Sequence, residues 1–257
     1  MGKYNMAINT DLTDKQHIVT FSEDGSKAES EMEILHEHAL TIVVNEQRLM
    51  RLICTKQNLH ELVLGRLLTD GLIEGMQDVS KLWFCKYENE ATVLLSRELK
   101  LTEDIREDLT CCTGNRVYFA QEEKAFGKLP ECRWEPEWIF ALAAEFSKGT
   151  ELHDRTGSTH SCILARNGEV LFVCEDIGRH NAVDKAVGYG LKNGVPLAEC
   201  MLYTSGRVPV DMAEKVIAAG IPVLASKSLP TAEAVSLAHE YGLTLIGNAH
   251  RDSMRLF

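Results

Sequence analysis

The strongest constraint on the fold is the order of apolar runs after residue 137. Short apolar segments at Ser161–Ala165, Val170–Cys174, Met201–Thr204, Val223–Ser226 and Leu243–Gly247 read as strands. Between them, His180–Leu191, Asp211–Ala219 and Ala232–Tyr241 carry helical spacing. Gly194, Gly220 and Gly242 follow these helices, where a C-terminal cap needs left-handed backbone. With one more helix over Glu137–Lys148, the alternation predicts a layered α/β sheet.

Upstream the pattern changes to α+β. Leu40–Val44 and Arg48–Cys54 read as a hairpin turning at Asn45-Glu46-Gln47, a helix starts near Asn58 and ends at Gly71, and strands follow around Leu82–Cys85 and Ala91–Leu95. Residues 1–32 are polar and read as an arm, loose or folded as an edge hairpin. The expected organisation is that arm, a small α+β domain over 33–130 with a cysteine loop near 110–116, and an α/β domain over 131–257.

A formal charge of −11 over 257 residues repels nucleic acid and anionic membrane surfaces at long range, so neither is an expected partner. No apolar run is long enough for a membrane-spanning helix, and Met1–Lys15 has no signal-peptide core, so a cytoplasmic location is expected. The eight cysteines are scattered and include no Cys-x-x-Cys pair, which argues against a disulfide scaffold. Cys54, Cys85, Cys162 and Cys174 lie in apolar strand patterns and read as core residues. Cys111-Cys112 differs, because its segment is polar and Arg116 puts a cation nearby, the setting of an accessible thiolate. A structural pair or a redox-sensing vicinal disulfide is the plainer reading of those residues.

Three predicted strand-to-helix junctions carry dense polar chemistry. Glu175-Asp176-Ile177-Gly178-Arg179-His180-Asn181 offers an acid, a permanent cation and an imidazole in one turn. A helix N-cap with a surface ion pair is the plainer reading of each of these residues. Thr204-Ser205-Gly206-Arg207 and Ser226-Lys227-Ser228 combine hydroxyls with a basic side chain, a composition that suits phosphate. Walker and dinucleotide fingerprints are absent from the sequence, so an ATPase is not expected. His160 stands at the entrance of the strand that holds Cys162, as a site residue or as an imidazole satisfied by backbone.

These segments in order resemble the FdhD/NarQ family of formate dehydrogenase accessory sulfurtransferases. The resemblance rests on Thr156-Gly157 with Thr159-His160, on the run from Glu175 to Lys185, and on Ser205-Gly206-Arg207 with Asp211-Met212 and Lys215. Ala219–Ser226, Leu243–Gly247 and, upstream, Leu64–Ile73 extend it. It implies a cytidine-deaminase-like layered α/β domain with a smaller N-terminal α+β domain, and a homodimer. It also implies a loop cysteine that takes persulfide sulfur from a cysteine desulfurase and delivers it to the molybdenum bis-guanine-dinucleotide cofactor of the formate dehydrogenase catalytic subunit. The cofactor is then a bound client, and no permanent metal is expected.

Many relatives carry Cys-Gly-x-Cys-Gly or Gly-Cys-Gly on that loop, where this chain has Thr110-Cys111-Cys112-Thr113-Gly114. Alignment with the single-cysteine form puts the persulfide on Cys112, with Cys111 in place of a glycine. By the same resemblance, His160, Asp176, Arg179, His180, Ser205, Arg207 and Lys227 are cofactor-binding. The family's cofactor-contacting stretch after Gly247 falls on Asn248, Ala249, His250, Arg251, Asp252 and Ser253. A non-catalytic cofactor chaperone is the alternative function. A zinc deaminase ranks last, since the chain has no Pro-Cys-x-x-Cys.

Overall fold

The computed structural model describes residues 12–98 and 127–257, with the backbone of two-residue strands at 101–102, 106–107, 116–117 and 120–121. In chain order the elements of the first part are β1 (Thr13–Phe21), β2 (Lys27–Leu35), β3 (His38–Val44), β4 (Gln47–Cys54), α1 (Leu59–Thr69), β5 (Val79–Phe84) and β6 (Glu90–Leu95). The four short strands are β7 to β10. The second part comprises α2 (Pro136–Phe146), α3 (Glu151–Thr156), β11 (His160–Arg166), β12 (Glu169–Asp176), α4 (Arg179–Lys192), β13 (Cys200–Thr204), α5 (Val210–Ala218), β14 (Val223–Ser226), α6 (Ala232–Tyr241), β15 (Thr244–Gly247) and β16 (Arg255–Leu256).

The fold is mixed α/β. One six-stranded sheet has the order β5-β6-β3-β4-β9-β8 and the other β12-β11-β13-β14-β15-β16. In the second sheet β13, β14 and β15 run parallel, while β11, β12 and β16 are antiparallel to their neighbours. The period of two in its strands sorts residues between two cores. Cys162, Leu164, Leu202, Leu224 and Leu245 join the core that contains α4, α5 and α6 residues. Ile163, Ala165, Met201, Tyr203, Val223, Ala225 and Ile246 face Ile139, Leu142 and Ala143 of α2.

The first core continues without a break through α1 into β3, β4 and β6, so both sheets share it. Helix α1 is buried on nearly every face, Arg66 and Thr69 included, and most of its residues are apolar, as in a helix enclosed by protein. It crosses α4 at Gly65 and Gly188, where the backbones touch. A Cβ built on Gly65 would lie 1.7 Å from the Asp184 carbonyl oxygen, and one on Gly188 would lie 1.8 Å from that of Glu61.

Beside this crossing lies a buried polar network. Lys215 Nζ donates to both Asp184 oxygens (3.0 and 3.1 Å) and to Thr69 Oγ1 (3.0 Å), and Arg66 Nε donates to Asp70 Oδ2 at 2.6 Å. Burial disfavours the charge on Asp70, but Arg66 and Lys215 more than offset it and hold the carboxyl below its usual range.

Residues 13–35 form a hairpin in which, among the described residues, β1 and β2 pair with each other and with no other strand. Its base is tied to α3 by Arg155, which binds the Glu33 carboxylate and Thr13. The core reading holds for Cys54, Cys162 and Cys174, which are buried. Burial pushes the first two thiols far up and Cys174 to about 12, so all three are inert. Cys85 corrects that reading. Strand β5 ends at Phe84, which leaves Cys85 half-buried in the turn to β6, its thiol donating to Asn89 Oδ1 at 2.9 Å.

Candidate functional site

Strands β13, β14 and β15 end at one edge of the second sheet, and the β11–β12 hairpin brings His160 and Asp176, paired in register, to the same edge. Ligands of open α/β sheets collect at such an edge, where loop amides and helix N-termini converge. The loops here are stitched together. Lys227 N–H donates to Thr204 O (3.0 Å), Ser228 Oγ to Ser205 O (3.1 Å), Asn248 N–H to Ser228 O (3.0 Å) and Ala249 N–H to Ser226 O (2.9 Å). Ser226 Oγ donates to Gly206 O at 2.7 Å, and Tyr203 fixes the last loop through a 2.6 Å bond to Ala249 O.

The turn into α4 is held from below. Asp176 and Lys185 form a 2.7 Å ion pair in which neither side chain has any solvent exposure. Asp176 Oδ1 accepts from Gly178 N (2.8 Å) and Asn181 Nδ2 (2.9 Å), and Oδ2 accepts from Thr55 N (3.0 Å). Lys185 also donates to the carbonyls of Thr55 (3.2 Å) and Glu175 (3.0 Å). Asn181 donates to Ile53 O, and Ile177 N–H to Thr55 Oγ1. The turn therefore clamps the end of β4, and Asp176 lies beneath the site with both oxygens engaged. Glu175 points to the other face, where it accepts from Thr150, Thr159 and the backbone N–H groups of Leu152 and His153, capping α3.

Above this floor, His160, Arg179, His180 and Ser205 come together. His160 Nδ1 is 3.1 Å from Ser205 Oγ. Burial first, then the Arg179 guanidinium, lowers the His160 pKa, with His153 and His180 acting in the same direction and Asp176 against it. His180 is 3% exposed, and its Nε2 lies 3.2 Å from Asp211 Oδ2 in the first turn of α5. Arg179 is packed over Gly206, where an added Cβ would come within 2.9 Å of the Arg179 Cβ. A glycine there lets the guanidinium-bearing chain lie flat against the β13 loop.

Arg207, Lys227 and Arg251 are exposed, one on each of the three loops, together with Asp252 and Ser253. Asn248 takes left-handed backbone at φ 50°, and His250 Nε2 lies 3.2 Å from its Oδ1. The structure thus gathers an imidazole whose pKa is lowered, a held imidazole, a buried guanidinium and three surface cations along one edge, an arrangement suited to a polyanion. Cys111 and Cys112 lie outside the described residues. Among the described residues no group of three or more His, Cys, Asp or Glu side chains is arranged to hold a metal ion. A separate cavity of about 200 Å³, lined by Leu12, Phe146, Leu152, Arg155, Ile163 and Val173 among others, contains none of the loop cations.

Sequence reasoning did not assign roles to Ser161, Asp211, Lys185 or Thr55. Asp211 carried one readable signal, an acid in the first turn of a predicted helix. Lys185 carried none, since a lysine in an apolar helix pattern is read as an exposed side chain.

The sequence pattern of the FdhD/NarQ family matches residues 35–257. The chain is 32% identical over 241 residues to the sulfur carrier protein FdhD of Halalkalibacterium halodurans, covering 91% of this chain and 89% of that one. It is 30% identical over 243 residues to that of Bacillus subtilis, covering 91% and 92%. A crystal structure from Desulfotalea psychrophila, of a candidate formate dehydrogenase accessory protein, superposes with a TM-score of 0.79 at 23% identity over 95% of this chain and 96% of that one, which shows a common fold. On the match over residues 35–257 and the identity along nine-tenths of its length, this chain belongs to the FdhD/NarQ family.

Proposed function

We propose that the chain is a sulfur carrier for formate dehydrogenase, loading sulfur on Cys112 from a cysteine desulfurase and delivering it to a molybdenum bis-guanine-dinucleotide cofactor. The observation that carries the reading is the convergence of Arg179, His160, His180 and Ser205 with the Arg207, Lys227 and Arg251 loops at one sheet edge. The names of the relatives, sulfur carrier proteins, support the sulfur-carrier part of it. The donor set fits the client, because two pyrophosphates ask for fixed cations and hydroxyl or amide donors, and this edge supplies both. Asp176 and Lys185 shape the turn, while the 248–253 loop closes one side. We read the second sheet with its helices as the cytidine-deaminase-like layer and the protein as a cytoplasmic homodimer.

In the loading step the Cys112 thiolate attacks the outer sulfur of the desulfurase persulfide. A new S–S bond forms as the old one breaks, the donor cysteine leaves as thiolate, and the outer sulfur keeps its proton on Cys112. Arg116 is the nearest cation in sequence to favour that thiolate.

Replacing Cys111 and Cys112 together by alanine in a strain that depends on this protein is expected to abolish formate dehydrogenase activity while the dehydrogenase polypeptide still accumulates. Full activity in that strain would overturn sulfur transfer and support a chaperone that only binds the cofactor.

A further inference from the structure

Ser205 and Ser161 are bound to each other twice. Ser205 N–H donates to Ser161 O at 3.1 Å, and Ser161 N–H donates to Ser205 Oγ at 3.1 Å. The Ser205 carbonyl is fixed again by Ser228 Oγ at 3.1 Å. The hydroxyl oxygen therefore has a fixed position, 3.1 Å from His160 Nδ1, with one lone pair already taken. Among the described residues these are its two hydrogen bonds, and with the Ser161 N–H already on the oxygen, Nδ1 is the partner within reach of the Ser205 proton in the tautomer that leaves that nitrogen bare.

We propose that Ser205 is a positioning residue that sets His160 as a neutral donor: its hydroxyl proton goes to Nδ1, the imidazole keeps its own proton on Nε2, and Nε2–H is offered to a phosphate oxygen of the bound nucleotide. The role of Nε2–H rests on the proposed cofactor site, whereas the tautomer rests on the Ser161–Ser205–His160 geometry alone. Among the described residues, the charged and titratable groups acting on the ring are Arg179 and His180 on α4, His153 on α3 and Asp176 on β12. Three of the four disfavour an imidazolium, and burial adds to them. Asp176 is already neutralised by Lys185 at 2.7 Å.

A division of labour follows. Arg179 supplies charge at every pH, and His160 supplies direction without charge, so the site keeps its donor as pH rises through the histidine range. An imidazolium would lose half its donors and all its charge over the same range. The pattern of an imidazole kept neutral in order to donate is a known way of polarising an oxygen without giving up a proton to solvent.

The test is nitrogen NMR of the full chain labelled at its nine histidines, with the His160 signals assigned by their loss in His160→Gln. The expected spectrum at neutral pH has a protonated Nε2 and a bare Nδ1 for His160, with a titration midpoint below that of an ordinary histidine. Ser205→Ala should release the ring into mixed tautomers, and Ser205→Thr, which keeps the hydroxyl, should restore the native spectrum. A proton on Nδ1, a charged ring at neutral pH, or a native spectrum in Ser205→Ala would overturn the proposal.

Calorimetry with GDP at constant salt supplies the second readout, comparing native protein with His160→Gln so that the ligand's own ionisation cancels. The native-to-variant affinity ratio should stay the same within about threefold between about pH 7 and about pH 8.5, and Ser205→Ala should bind about tenfold more weakly. A ratio that falls tenfold or more as pH rises marks a cationic His160 and contradicts the proposal. Absence of GDP binding by the native protein would count against the cofactor site and against Nε2–H as its donor, with the tautomer still read directly from the spectrum.

Discussion

Lys185→Met is expected to destabilise the protein by about 3–5 kcal/mol, the usual cost of leaving one half of a buried ion pair behind. Methionine fills the lysine volume, so the loss is electrostatic. Asp176 would keep three N–H donors but lose its cation, while the Thr55 and Glu175 carbonyls would lose theirs. Against a typical total stability of about 5–15 kcal/mol, such a loss unfolds a large share of molecules under mild stress. Removing both charges in Asp176→Asn/Lys185→Met should recover part of the loss, so the two substitutions are strongly non-additive. Urea denaturation of the parent, both single variants and the double variant measures the cycle. A single Lys185→Met variant within about 1 kcal/mol of the parent would show that the pair does not hold the turn.

Gly188→Ala pits two effects of opposite sign against each other. By helix propensity alone, alanine in the interior of α4 should stabilise it by about 1 kcal/mol. The crossing forbids this gain, because the new Cβ would stand 1.8 Å from the Glu61 carbonyl oxygen and 2.7 Å from Gly65 N. Backbone on both helices must move by more than an ångström to make room, and overpacking of that kind costs on the order of 3 kcal/mol or more. Packing wins, and the variant should be less stable. It should also bind GDP less well, since α4 carries Arg179 and His180 at its start. A variant as stable as the parent would mean that α1 and α4 do not touch as described.

The fold of the second half was largely legible because strand and helix periods alternate cleanly and the capping glycines sit where left-handed backbone is needed. Gly194, Gly220 and Gly242 all adopt positive φ. Helix α3 was not legible. It has six residues and no apolar period, and the donors of its first turn are met by Glu175, which is distant in sequence. Cys85 looked like core because its neighbours are apolar, but whether it stays in the strand depends on where the turn begins. Burial opposes ionisation of its thiol, and the N–H groups of the 87–90 turn outweigh that and lower its pKa.

The site was legible as residue types and not as geometry. Arg179 and His180 could be singled out from one predicted junction, Ser205 from a second, and His160 from the entrance of a strand. That Ser205 carries His160, and that Asp211 carries His180, depends on the β11–β13 register and the placement of α5, which no local pattern encodes. The buried Asp176–Lys185 pair shows the same limit in reverse. Both residues look like surface charges in sequence, and only the approach of Thr55 from the other half of the chain explains why they are enclosed.

The most direct measurement of the sulfur-carrier account is mass spectrometry of the protein after incubation with a cysteine desulfurase and cysteine. One added, reductant-labile sulfur atom is expected on Cys112, and none on the Cys112→Ala variant. Equal loading of Cys112→Ala and the parent protein would contradict it.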